Sequence, residues 1–382
     1  MRSAPSRLAF IDALKAIGSQ LIVLHHLAFY GPMSDVAHDL APAIISWLSQ
    51  DARIAVQIFL VIGGFLAAKA LAPHGKLLAG NPLALLYSRY FKLAVPYVAA
   101  LIFAIMCSTL AGQLMDHDSI PAAPSLPQLA AHALLLQNLF GLDALSAGVW
   151  YIAIDFQLFT LLLGTLWLAR RVGTRINGTR IVGVLFVTLL AGASLFFFNR
   201  DSAWDDWALY FFGSYALGVL AYWTSSHKHN ADWLSVIAVA VGVALLIDFR
   251  SRIVVALLIA LALGIARRTG GLETWPRNGV IAYLGQISYS VFLVNFPVAL
   301  VVNALFAYFA PDNVLANALG MLVAWLACIL VGAAFHRHVE SSTRQIQTAI
   351  SQVARLLLQP LRQFRPLQRF FDWLTLVLRV RS

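Results

Sequence analysis

The chain has 382 residues, of which 60% are hydrophobic and 12% charged, and its net charge is +10. Soluble domains carry about 25% charged residues, so half that share together with repeated long apolar runs excludes an ordinary soluble enzyme and specifies a polytopic membrane protein. The runs are continuous rather than alternating at every second residue, which excludes an outer-membrane barrel. The positive charge is spread over loops and a C-terminal tail, which excludes a nucleic-acid-binding face.

The first run, residues 11–30 (IDALKAIGSQLIVLHHLAFY), can cross a bilayer yet holds Asp12, Lys15 and two adjacent histidines. Ionisable groups are expensive in hydrocarbon, so inside a span they are candidates for function. Lys15 and His26 are eleven positions apart, about 1100° of helix, only about 20° past three full turns. Both lie on one stripe, roughly 16 Å apart along the axis. Asp12 falls about 40° from that stripe and His25 about 80° from it. His26 therefore shares a face with the charges, whereas His25 is expected to make a polar contact between helices. No cleavable signal peptide is expected, because charges interrupt the run and no small-residue cleavage site follows.

Ten apolar runs are expected as spans: roughly residues 8–29, 45–68, 93–112, 147–169, 181–198, 207–223, 232–248, 253–266, 279–307 and 314–335. The run at 253–266 is short against the usual requirement of about 20 residues. Residues 132–140 are too short to cross and read as a re-entrant or interfacial helix. Cys107 and Cys328 lie in apolar runs and imply no disulfide framework.

Alternate loops carry very different numbers of Lys and Arg: 22 on one side, and on the other only Arg53, Arg200, Arg250 and Arg252. By the positive-inside rule, ten crossings then leave both termini in the cytoplasm. The outward loops are short except for 113–146, which carries Asp116, Asp118, Asp143 and three prolines. Such a loop is either a substrate-facing lid or a passive linker. The expected architecture is an all-α membrane bundle over residues 1–340, followed by a basic amphipathic cytoplasmic tail over 341–382. That tail interleaves seven arginines with Leu, Phe and Trp373, a composition suited to anionic headgroups.

Within this topology His26, Asp155 (in VWYIAIDFQLF) and Asn295 (in SYSVFLVNFPV) come from three helices at comparable depth. A histidine meeting a carboxylate in a dry site suits general-base work, the carboxylate fixing the tautomer. Asp155 can equally be a structural partner for a neighbouring helix, and Asn295 an interhelical hydrogen bond. Arg89 and Lys92 in SRYFKLAVPY lie one turn apart at the start of the third span. They can clamp phosphates, and they are also what orientation alone places there. Gly63 and Gly64 permit close helix approach or a break around a ligand.

In order, these pieces resemble the membrane-bound acyltransferase-3 family, which includes bacterial O-acetyltransferases of polysaccharides and lipid-linked glycans. LKAI with His26 eleven residues beyond Lys15 looks like the family's opening motif, with Lys15 where Arg is usual. IFLVIGGF resembles its FFxxSGF stretch, with Gly63 in the Ser position, and Arg89, Lys92 and Pro96 echo its basic RRxxR…P segment. WYIAIDFQLF looks like W-x-L-x-x-E-x-Q-F-Y with Asp155 for Glu. SYSVFLVN looks like SYxxYLxH with Asn295 for His. Lys for Arg and Asp for Glu keep charge while changing geometry.

The resemblance implies an acyltransferase of the bacterial inner membrane that holds no resident cofactor or metal. Acyl-CoA, usually acetyl-CoA, would be the donor substrate, entering from the cytoplasm with its phosphates on Arg89, Lys92 and Lys15. Trp150, Tyr151 and Asn295 would help bind substrate. His26, oriented by Asp155, would deprotonate a hydroxyl acceptor or carry the acyl group itself. The acceptor would be an envelope glycan or lipid-linked sugar. The rival reading is a transporter or flippase that uses the same intramembrane charges, and no internal repeat of the kind common in transporters is visible.

Overall fold

The computed structural model describes residues 7–225 and 232–358. Among these residues it is an all-α bundle without strands. The helices are α1 (Ala9–Phe29), α2 (Pro32–Ala37), α3 (Pro42–Gln50), α4 (Val56–Leu71), α5 (Pro82–Ala111), α6 (Leu126–Ala133), α7 (Trp150–Arg175) and α8 (Thr179–Phe196). They continue with α9 (Ala208–Thr224), α10 (Trp233–Ile247), α11 (Ser251–Thr269), α12 (Gly271–Thr274), α13 (Gly279–Phe309), α14 (Val314–Phe335) and α15 (Thr343–Leu358). Each of the ten apolar runs contains a helix. Among the described residues, α5, α7, α13 and the stretches Ala52–Leu71, Thr179–Arg200 and Val314–Ile350 are long and apolar enough to cross a membrane.

Asparagines fix where the long helices begin. Asn81, Asn278 and Asn313 each accept backbone N–H groups of the first turn of α5, α13 and α14, satisfying donors that have no helical partner. In α5, Pro82 takes the first position, where a missing N–H costs nothing.

Two pairs of parallel helices form the frame. α1 runs alongside α13: Arg7 donates to the Ala282 carbonyl, His26 meets Asn295, and Asn303 donates to the Tyr30 carbonyl. α4 runs alongside α9, with Gln57 bonded to Ser214 near one end and the Trp223 indole donating to Ala72 at the other. Gly64 and Gly218 make the second crossing possible. A Cβ at Gly64 would lie 1.8 Å from the Tyr215 carbonyl oxygen, and one at Gly218 would lie 1.9 Å from that of Val61. Small residues here let two backbones touch, which is how helices gain packing energy without a hydrophobic drive.

Two features differ from the sequence reading. The run at 45–68 is broken, α3 ending at Gln50 and a 3-10 turn over Ala52–Ala55 leading into α4. The short helix expected at 132–140 lies at Leu126–Ala133 instead, because Ser125 and Gln128 form a reciprocal capping box that sets its start. The loop 113–146, open between lid and linker from sequence, packs back along α5 through its short helix. The Tyr90 hydroxyl donates to the Ala133 carbonyl at 2.7 Å, and about 30 Å of helix separates Tyr90 from the end of α5 at Ala111. This re-entrant path keeps its irregular backbone packed against protein. His132, fully buried, staples it: Nδ1–H donates to the Gln128 carbonyl and Nε2 accepts from the Leu145 amide.

Of the basic tail, α15 is described and packs against α5. The remainder of the expected membrane-surface segment, 359–382, lies outside the described residues.

Candidate active site

A cavity of about 600 Å³ opens where α1 begins and α14 finishes. α1 supplies Lys15, α5 supplies Arg89 and Lys92, and α7 supplies Tyr151 and Asp155, so five residues expected from sequence surround one space. Glu340 and Arg344, from the segment after α14, complete the mouth.

Most of the charges there are matched. Arg89 Nη2 and Asp155 Oδ2 are 2.5 Å apart, and the guanidinium also lies over the Phe159 ring, 5.3 Å from its centroid. Lys15 Nζ is 3.7 Å from Asp12 Oδ1. Glu340 accepts from Ser290 Oγ at 2.6 Å and pairs with His336 at 3.0 Å. The Lys92 and Arg344 side chains form no hydrogen bond or ion pair among the described residues. The mouth therefore holds two unmatched cations, a field that favours an anionic ligand.

Inward, the cavity ends on the rings of Phe59, Tyr151 and Phe292, whose centroids are 5.7 to 6.5 Å apart. His26 lies just behind them. A Cβ built at Gly148 would sit 3.2 Å from His26 Cε1 and 3.3 Å from Phe292 Cζ, and Gly148 has φ +78°. Glycine is required there twice over, for the left-handed turn into α7 and for lack of room.

The His26 side chain is set by α13. Its Nδ1 is 2.5 Å from Asn295 Oδ1, while Asn295 Nδ2 donates to the carbonyls of Val291 and Phe292. With the amide nitrogen committed to two acceptors, Oδ1 faces the imidazole and can only accept. Nδ1 therefore carries the proton, and Nε2 is left with a free lone pair. Such an imidazole can act as a base or as a nucleophile. His25 turns away and bonds through Nδ1 to the Leu48 carbonyl of α3 at 2.9 Å.

The expected pairing of His26 with Asp155 is replaced by two separate contacts, His26 with Asn295 and Asp155 with Arg89. The cause is which helices adjoin: α13 lies along α1, and the first turns of α7 bring Asp155 against α5. Trp150 lines a second recess on the far side of Tyr151. Adjacent helical residues point about 100° apart, so a neighbouring pair can line different spaces.

The cavity also takes Phe59, Phe292, Tyr289, Glu340 and Arg344, which the sequence motifs do not single out. Phe292 was within reach, because it lies three residues before Asn295 and so on the same helical face. Nothing local distinguishes Arg344 from the other arginines of the tail.

Residues 8–335 match the family described as an acyltransferase domain, acyltransferase-3, from the start of α1 to the end of α14. No curated protein and no solved structure matches the chain. With well over half of its length matched, this all-α membrane bundle belongs to the acyltransferase-3 family of acyltransferases.

Proposed function

We propose that the protein transfers an acyl group, in the first instance acetyl, from cytoplasmic acyl-CoA to a hydroxyl of an envelope glycan or lipid-linked sugar. The observation that carries this reading is the cavity: unmatched cations at its mouth, and His26 one aromatic layer beyond its inner end. The donor's phosphates would sit on Lys92, Arg344 and Lys15, and the pantetheine arm would run past Arg89 and Tyr151 toward Phe292. The ten-span topology, with both termini cytoplasmic in the bacterial inner membrane, belongs to the same proposal and opens this mouth to cytoplasmic CoA.

Chemically, His26 Nε2 takes the proton of the acceptor hydroxyl as its oxygen attacks the thioester carbonyl. The C–S bond breaks, the CoA thiolate leaves, and the imidazolium returns the proton to it. In the covalent variant Nε2 attacks the thioester first and the C–S bond breaks, giving an acyl-imidazolium and CoA thiolate; the acceptor hydroxyl oxygen then takes the acyl group from Nε2 as its proton passes to the thiolate, which restores the neutral imidazole. Asn295 holds the tautomer that both routes need. Asp155 acts on Arg89, keeping the guanidinium in the cavity wall. The transporter reading shares the intramembrane charges but draws no support from the family match.

The test is label transfer from acetyl-CoA to an envelope-glycan extract by protein in lipid. Wild type and His25→Ala are expected to transfer, and His26→Ala to lose at least about a hundredfold. CoA should raise the melting temperature of all three. Absence of both CoA stabilisation and transfer in wild type sinks the proposal in favour of transport.

A further inference from the structure

At the opposite end of the bundle lies a second recess of about 700 Å³, formed by the starts of α4, α9 and α11 together with Trp150. The donor route leaves it unused. Its lining includes Arg53, Arg250 and Arg252, three of the only four basic residues that the loop count assigns to the outer face. Orientation works against arginine on that side, so its concentration around one recess asks for another cause.

The three arginines are not equivalent. Arg250 is structural: it is buried and donates to the Leu195 carbonyl and to Asn199 Oδ1. Arg252 donates one Nη2 bond to the Asn199 carbonyl and lies over the Tyr210 ring at 4.7 Å, while its buried Nε has no partner among the described residues. Arg53 is exposed and makes no ion pair among the described residues. Asp51 and Asp205 also line the recess, and neither forms an ion pair among the described residues.

The remaining lining has a different character. Trp150 and Phe211 present two rings 5.6 Å apart, tilted by 30°. Buried Gln57 uses Oε1 to accept from Ser214, and its Nε2 makes no hydrogen bond among the described residues. Aromatic faces beside an amide and carboxylates can take the apolar face and the hydroxyls of a sugar. A guanidinium adds a fork matched to a carboxylate or phosphate.

We infer that this recess binds an anionic saccharide, its carboxylate or phosphate on Arg53 and Arg252 and a sugar face against Trp150. Calling that saccharide the acyl acceptor rests on the acyltransferase reading above; the binding itself does not. Position supports the link. In α4, Gln57 lines this recess and Phe59 the donor cavity; in α7, Trp150 and Tyr151 divide in the same way, their rings 6.2 Å apart. One layer of side chains separates the two spaces, and His26 lies at that layer through Gly148 and Phe292.

The experiment measures binding to full-length protein in nanodiscs, without CoA, of glucose, glucuronate, glucose 1-phosphate and inorganic phosphate. Glucuronate, glucose 1-phosphate or both should bind at least about tenfold more tightly than glucose, and the preferred one identifies the anion. Arg53→Ala, at an exposed position that folding does not need, should erase that advantage while leaving glucose binding and CoA stabilisation intact. Trp150→Ala should weaken every sugar and leave inorganic phosphate unchanged. Equal binding of all three sugars, or an anionic preference untouched by Arg53→Ala, overturns the inference. So does inorganic phosphate binding as tightly as glucose 1-phosphate, which would mark a bare anion site. Saccharide binding without CoA stabilisation in wild type would instead remove the enzyme reading and leave the recess standing.

Discussion

Two polar pairs with different partners divide the work at the residue scale. Asn295 holds His26 by geometry alone, with no charge to raise its basicity, so its loss should act on the chemical step. Asn295→Ala frees the imidazole to take either tautomer and is expected to lower kcat by about 10²-fold with little change in KM for the donor. A change in KM alone would show that Asn295 is only structural. Asp155 faces the other way, onto Arg89, with side-chain exposures of 8% and 25%. Removing one member of so shielded a pair leaves its partner's charge uncompensated, at a cost of about 3 kcal/mol. Arg89→Ala and Asp155→Ala should each lower the melting temperature, and the double variant should lose clearly less than the sum. Additive losses would mean that the contact carries no coupling. Asp155→Asn should raise KM for the donor more than it lowers kcat, the reverse of Asn295→Ala.

Among the elements, the re-entrant segment between α5 and α7 positions the site while contributing no chemistry. It delivers Gly148 against His26 and starts α7 at Trp150, and its own shape depends on His132. That imidazole must be neutral, since Nε2 accepts the Leu145 amide while Nδ1–H is spent on Gln128. Burial holds its pKa below the ordinary value of about 6.5. The unfolded segment therefore takes up the proton more readily, so the stabilisation is complete above pH 6.5 and drains away as pH falls below it. Hydrogen exchange at Leu145, corrected for intrinsic rate, should show protection at pH 7.5 that weakens at pH 5.5. His132→Asn should abolish that pH dependence. Protection that is flat across the interval in wild type would rule out His132 as the staple.

Over the whole molecule, what was legible in the sequence is what depends on period and composition. The ten apolar runs, the alternation of basic loops and the shared stripe of Lys15 and His26 are properties of a single helix or loop. Which helix faces which is a property of packing. For that reason depth alone pairs Asp155 with His26, whereas its partner is Arg89, 66 positions away, and the neighbours Trp150 and Tyr151 line different recesses. The same packing constrains the shortest of the expected crossings, the run at 253–266. Contacts of Arg7 with Ala282, His26 with Asn295 and Tyr30 with Asn303 make α13 parallel to α1, so an even number of reversals separates them. That parity requires α10 and α11 to cross as a pair or not at all. Cysteines placed singly at the exposed positions Ser202, Glu273 and Asp312 test this in intact cells with an impermeant maleimide, because the native Cys107 and Cys328 are buried. Ser202→Cys and Asp312→Cys should label from outside, and Glu273→Cys only after permeabilisation. Labelling of Glu273→Cys with protection of Asp312→Cys would break the parity and turn α13 over. Protection of Ser202→Cys in intact cells would turn the arginine-lined recess away from the envelope and with it the proposed acceptor.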